Sequence, residues 1–339
     1  MARLRLNPQS GSLIWRAHVF VSYNRFMGKP IAICKPSALQ PGDTIAVVAP
    51  ASNLKPDWLS AGEAELHRLG FKTKHLDSIF SKALYTAGSD QRRAQELNAM
   101  FADPDVKAIF AARGGYGTVR ALSGLDDQII RDNPKIFMGY SDVTTLLIYL
   151  YQRHGLVTFH GPMVAKDFRG GPSHYDGESF NQLLVKGSAN VEINVAGAQV
   201  LIKGKARGRL LGGCMPMITA SIGTPYELDT TDAILLLEDV AAKPYQIDRM
   251  IQHLRLAGKL DSVRGFVFGE MNECVQGPNQ GYTIEEVILD CLGDLGLPIL
   301  FGLTTGHTEH NNLTLPLGVE VELDCDASSL TIVESAVNL

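Results

Sequence analysis

Residues 136–144 read Ile-Phe-Met-Gly-Tyr-Ser-Asp-Val-Thr. An apolar run meets a glycine, turns through Ser141, and continues into Val143, Leu146, Leu147 and Leu150, whose spacing gives one helical stripe. Ser141 therefore falls where a strand hands over to a helix. In that geometry a sharp turn lifts the hydroxyl clear of the backbone, and the next amide faces a developing oxyanion. The match to G-x-S-x-G is partial, because Val143 stands where the second glycine belongs. A Ser-Asp pair after a strand also serves as an ordinary helix N-cap.

Two further residues suit a nucleophilic serine. Glu238 closes the apolar run Ala233–Leu237 at a strand end, where an unpaired carboxylate is costly, so it needs either a functional partner or a Lys or Arg. His307 follows Gly306 in a polar loop, where a histidine is commonly just solvated. Ser141, Glu238 and His307 occur in the order serine, acid, histidine, which one known triad topology shares; the roles depend on geometry rather than position. His307 and His310 also form a possible metal pair, but His-Thr-Glu-His is not H-E-x-x-H, Gly306 argues against a helix there, and no third ligand stands out. No metal and no cofactor are expected.

The loop Arg113-Gly114-Gly115-Tyr116-Gly117 has three readings. A dinucleotide fingerprint fails, because Arg120 occupies the place of its third glycine and the loop comes too late for a first βα unit. Plain turn chemistry is one alternative. An oxyanion loop is the other, since a residue without a side chain lets its amide approach a substrate oxygen.

The elements that must position these residues alternate. Thr44–Pro50 reads as a buried strand, Asp57 as the cap of a helix running to Gly70, and Thr73–Leu76 as a second strand. Ser89 or Asp90 opens a helix, Val106–Ala112 is a third strand, Lys135–Tyr140 a fourth and Val157–Phe159 a fifth. Strands and helices alternating at this spacing predict an α/β fold with a parallel sheet, whose ligands gather at the carboxyl ends of the strands. Gly114, Gly115 and Ser141 all lie at such ends. The pattern loosens from 166 to 203 and resumes near Gly204, with strands at 233–237, 263–268 and 319–323 and a capping box at Thr283–Glu286. Domains are therefore expected at 39–165 and 204–330, joined by 166–203.

The chain has 339 residues, 45% of them hydrophobic, enough for about two domains. A formal charge of −5 argues against nucleic acid or an anionic membrane as partner. Five scattered cysteines without C-x-x-C fit a reducing compartment, and no apolar run approaches bilayer length. Residues 1–38 differ from the rest: no acid precedes Asp43, while Arg3, Arg5, Arg16, Arg25, Lys29 and Lys35 are basic. This segment is a poor secretory leader. It is expected to be a non-core extension, with Met27 opening a plausible shorter chain.

Five ordered motifs resemble the LD-carboxypeptidase family, serine peptidases of class S66. They are Gly42-Asp-Thr-Ile-Ala-Val-Val-Ala-Pro50; Arg113-Gly-Gly-Tyr-Gly117; Met138-Gly-Tyr-Ser-Asp142; Leu237-Glu-Asp-Val240 with Pro244-Tyr-Gln-Ile-Asp-Arg249; and Gly306-His307 with Leu315-Pro-Leu-Gly318. The resemblance spans about 39–325. It implies a flavodoxin-like amino-terminal domain and a smaller α/β carboxy-terminal domain, with Ser141 as nucleophile, His307 as general base, Glu238 orienting it, and the amides of Gly115 and Asp142 as oxyanion hole. It further implies release of the terminal D-alanine from peptidoglycan tetrapeptides during cytoplasmic cell-wall recycling, by a homodimer whose partner is a small peptide substrate. A second branch, resembling microcin-immunity peptidases, cleaves aminoacyl-nucleotide antibiotics; the lack of a long aromatic-rich insertion at 163–203 leans toward recycling. A non-catalytic ligand-binding module of the same fold is the rival from another class. Cys214 departs from the family pattern, which often has Asn there.

Overall fold

The computed structural model describes residues 32–275, 277 and 281–339. The expectations for residues 1–31, including a shorter chain from Met27, lie outside the described residues. Thr44–Val48 (β1) is buried on both faces, as the unbroken apolar run requires. It pairs in parallel with Lys72–Lys74 (β2) on one side and Val106–Ala111 (β3) on the other. Ile136–Gly139 (β4) and Thr158–His160 (β5) extend the sheet in parallel beyond β3. The order β2-β1-β3-β4-β5 is the flavodoxin-like doubly wound arrangement, in which the strand order reverses next to β1.

Helices Pro56–Arg68 (α1), Asp90–Ala102 (α2), Thr118–Ala121 (α3), Asp127–Asp132 (α4) and Thr144–His154 (α5) connect these strands. The α1 helix departs from expectation at its start. Its N-cap is Lys55, with no side-chain cap, and Asp57 sits inside the first turn behind Pro56. A proline at the first helical position has no N–H to cap, and the acid there still complements the positive end of the helix dipole. In α2, Ser89 is the N-cap and accepts from the Arg92 amide at 3.2 Å.

The second sheet is built on Lys205–Cys214 (β8), Ala233–Glu238 (β9), Gly265–Gly269 (β10) and Ile299–Leu303 (β11), all parallel. Helices Met215–Ser221, Pro244–Leu256 and Ile284–Leu292 link them. The segment 166–203 is more than a connection: Val191–Glu192 (β6) and Gln199–Ile202 (β7) close opposite edges of this second sheet, β7 running antiparallel to β11. Glu320–Asp324 (β13) and Ser329–Ile332 (β14) complete it. Leu315–Leu317 (β12), between β11 and β13 in sequence, crosses to the first sheet and pairs antiparallel with β5, Leu315 opposite His160.

Residues 34–38, grouped with the extension in the sequence, belong to the fold. Cys34 donates its amide to the Gly155 carbonyl at 2.8 Å, Ala38 does the same to Asn338, and Lys35 pairs with Glu334 at 2.7 Å. Ala38 and Leu39 are buried in the core. Their hydrogen bonds go to Gly155, Leu184 and Asn338, all more than a hundred residues away, so no local pattern marks them.

Candidate active site

Ser141 stands between β4 and α5, at the carboxyl end of the first sheet. Its φ is +61°, in the left-handed region that a residue with a Cβ seldom occupies. Such strain of about 1–3 kcal/mol persists where surrounding structure imposes it. Here β4 and the short 3-10 turn 141–143 hold it from both sides, and no side chain caps that turn. Ser141 is not the N-cap of that turn; Tyr140 is.

His307 Nε2 lies 3.0 Å from Ser141 Oγ, and its Nδ1 lies 2.7 Å from Glu238 Oε2. The same carboxylate oxygen accepts the His307 amide at 3.2 Å. With Nδ1–H donating to Glu238, Nε2 is left to accept the serine proton. Glu238 comes from the end of β9, in the second sheet, and His307 from the loop between β11 and β12, so the three side chains arrive from different elements. Gly306, at φ +81°, makes the approach possible: a Cβ there would stand 2.6 Å from the Glu238 carboxylate.

Burial pushes the Glu238 carboxyl up, but the His307 charge and hydrogen bonds outweigh it and hold the group below its usual range. For His307, burial pulls the imidazole down, and the facing carboxylate more than restores it, so its pKa lies above the ordinary 6.5. Both directions describe one coupled pair that favours imidazolium beside carboxylate. A base so tuned takes a proton readily, and the serine beside it has a place to send one.

Gly114 closes over the serine: a Cβ on it would lie 2.7 Å from Ser141 Cβ and 3.6 Å from the Asp142 nitrogen. Gly115 follows at φ +119° and is exposed. Gly114 and the Asp142 amide thus lie beside Ser141, while Gly115 backs onto Ser52. The Asp142 side chain faces away, accepting from the Thr118 amide at 2.8 Å at the start of α3.

Sequence reasoning passed over a second set of residues around His307. Asn312 accepts from the Gly306 amide at 3.0 Å and donates to the Gly306 carbonyl at 3.2 Å. Tyr140 stacks edge-on against the imidazole, with ring centroids 5.2 Å apart, and donates to Asp167 Oδ1 at 3.3 Å. Burial pushes the Asp167 carboxyl up to about 6. His160, at the end of β5, is completely buried and pulled down to about 4 by burial. These are polar residues spread over apolar stretches, and only their burial beside His307 marks them.

Cys214 at the end of β8 is buried; its sulfur and donor atoms of Glu238 and His307 all lie within 4.8 Å of one another. The Glu238–His307 hydrogen bond already joins two of those donors. His310, two residues past the buried Thr308, is on the exposed side of the loop.

The comparisons with known proteins agree with this architecture. Residues 45–161 match the model of the LD-carboxypeptidase N-terminal domain and 207–323 that of the LD-carboxypeptidase C-terminal domain. The chain therefore belongs to the LD-carboxypeptidase family, peptidases of class S66. It is 36% identical over 306 residues to a probable murein peptide carboxypeptidase of Bacillus subtilis, covering 90% of this chain and 95% of that one. It is 30% identical to the microcin C7 self-immunity protein MccF of Escherichia coli, covering 86% and 94%. Among solved structures, MccF in complex with glutamyl sulfamoyl guanosine superimposes with a TM-score of 0.83 at 27% identity, over 91% of this chain and all of that one. A muramoyltetrapeptide carboxypeptidase from Oxalobacter formigenes gives 0.75 at 28% identity, over 85% and 97%.

Proposed function

We propose that the protein is a serine LD-carboxypeptidase that releases the terminal D-alanine of murein tetrapeptides. The observation that carries this is the continuous hydrogen-bonded path from Ser141 Oγ through His307 to Glu238. His307 Nε2 takes the Ser141 proton as Oγ adds to the carbonyl before the terminal residue, and the amides of Gly115 and Asp142 receive the oxyanion. His307 returns the proton to the departing D-alanine amine, leaving an ester on Ser141. Water, activated by the same imidazole, then hydrolyses that ester and restores the serine. Glu238 keeps Nδ1 protonated and stabilises the imidazolium.

Names of the relatives support murein peptide as the substrate. The aminoacyl-nucleotide reading has MccF behind it. Incubating the protein with a murein tetrapeptide and, separately, with an aminoacyl sulfamoyl nucleotide tests the choice by mass spectrometry: loss of one alanine from the peptide is expected, and cleavage of the nucleotide conjugate alone overturns it. The same reading includes a cytoplasmic homodimer active in cell-wall recycling. Five free cysteines support the compartment. An exposed apolar group of Leu84, Tyr85, Tyr116 and Val119 beside the glycine loop supports association. Sedimentation at the mass of a single chain would remove the dimer. Among the described residues, no helix is long and apolar enough to cross a membrane.

A further inference from the structure

A thiol stands beside the acid of the triad. In the parallel pairing of β8 with β9, Cys214 is the register partner of Glu238. The Cys214 amide donates to Thr144 Oγ1 at 3.2 Å, so its backbone is held independently of its side chain. His307, arriving on the loop after β11, completes a trio of sulfur, oxygen and nitrogen donors, all within 4.8 Å of one another. Among the described residues, no other three His, Cys, Asp or Glu side chains converge in this way.

These donors have capacity that the triad does not use. Glu238 Oε2 serves His307, but Glu238 Oε1 is buried and takes no hydrogen bond, and neither does Asp239 Oδ2 on the next residue. Buried acceptors left in this way are costly, and a cation supplies what they lack. The donor set selects the cation. A thiolate and an imidazole with one carboxylate suit Zn²⁺, whereas Mg²⁺ and Ca²⁺ require shells of oxygen. Around a tetrahedral zinc such donors stand roughly 3.3–3.7 Å apart, so about an ångström of adjustment seats the ion. The way in is the one open to His307, whose side chain is 19% exposed although Cys214 and Glu238 are buried.

We propose that Cys214, Glu238 and His307 form an inhibitory site for zinc. On binding, the thiol proton leaves for solvent, and the Cys214 sulfur, a Glu238 oxygen and His307 Nδ1 become the ligands. The proton that Nδ1 carried passes to Nε2. Nε2 then donates to Ser141 instead of accepting from it, and the serine loses its base. Zinc binding stands on the geometry of the three donors alone; its effect on turnover rests on the serine-peptidase reading.

Three measurements on the full chain, on Cys214→Asn and on Cys214→Ala test the site. Equilibrium dialysis should find one zinc bound per unmodified chain, with affinity at least about 100-fold lower in both variants, more than losing a merely supporting residue costs. Co²⁺ in place of zinc should give a near-ultraviolet thiolate-to-metal band in the unmodified protein and none in the variants. D-alanine release by the unmodified protein should fall with zinc, recover on chelation and ignore Mg²⁺ and Ca²⁺, while each variant, judged against its own metal-free rate, should need at least about 100-fold more zinc. Zinc held equally by all three proteins, or cobalt bound without the thiolate band, overturns the site. Release that continues with zinc bound overturns the inhibition. If no D-alanine is released even without metal, the peptidase reading fails, and dialysis and the cobalt band decide the site by themselves.

Discussion

At the scale of single residues, Ser141→Ala separates chemistry from structure. Tyr140 rather than Ser141 caps the following turn, so the hydroxyl contributes little to stability, and the melting temperature should stay within about a degree. Turnover should fall by on the order of 10⁵- to 10⁶-fold, the scale reached when such a serine is removed. Near-normal release of D-alanine by this variant would end the serine-peptidase mechanism. The pH profile examines His307. The base must be neutral to accept the serine proton, so kcat/KM should rise with pH through a midpoint above 6.5, because Glu238 holds the imidazole up. In Glu238→Gln that pull is gone while burial persists, so the limb should move to lower pH as activity drops by about 10²- to 10⁴-fold. A limb that stays put would mean another group controls it.

At the scale of elements, Asn312 is one of the side chains that fasten the His307 loop, beside Glu238 and Asn272. Asn312→Ala leaves the amide of buried Gly306 without its partner, while the Gly306 carbonyl keeps the Thr308 amide, which should cost roughly 1–3 kcal/mol in chemical denaturation. It should also lower kcat more than it raises KM, since the imidazole loses its position rather than the substrate its pocket. Unchanged stability would show that the loop is held elsewhere. Asn312 also shows where sequence reading stops. Strands β1, β3, β4 and β9 are apolar runs bounded by turns, legible because burial on both faces imposes a local signature. Ser141 and Glu238 stand out because each interrupts or ends such a run, and His307 because it follows Gly306 in a motif shared with the family. Asn312, Asp167 and Tyr140 carry no such mark, since what makes them matter is the buried hydrogen bonds and ring contact they make around the His307 loop. The strands β6 and β7 were hidden for a similar reason: short edge strands in 166–203 have too little periodicity to rise above the glycines and prolines around them. Asp57 was misplaced by two positions because Pro56 allows the helix to start without a side-chain cap.

At the scale of the whole molecule, the two ends of the described chain hold each other. Pro36 and Ala38 exchange backbone hydrogen bonds with Asn338, and Lys35 pairs with Glu334 across a partly exposed gap. A chain beginning at Ala32 keeps every one of these contacts and serves as the reference. One beginning at Gln40 should melt several degrees lower, having lost buried Ala38 and Leu39 and the pairing of Cys34 with Gly155 and Val157. Equal melting temperatures for the two would show that residues 34–39 merely rest on the surface.

The crossing of β12 has a consequence for any attempt to divide the protein. Severed in the turn near Gly187, the chain yields a first piece whose β5 edge is bare and a second carrying a strand with no sheet to join. An uncovered edge invites association with other chains. Neither piece is expected to be purified alone as a well-behaved monomer, yet co-expressed they should reassemble, because each supplies what the other's edge lacks. Activity should return in step with that reassembly, since His307 sits on the chain between a strand of one sheet and a strand of the other and is aligned only when both are seated.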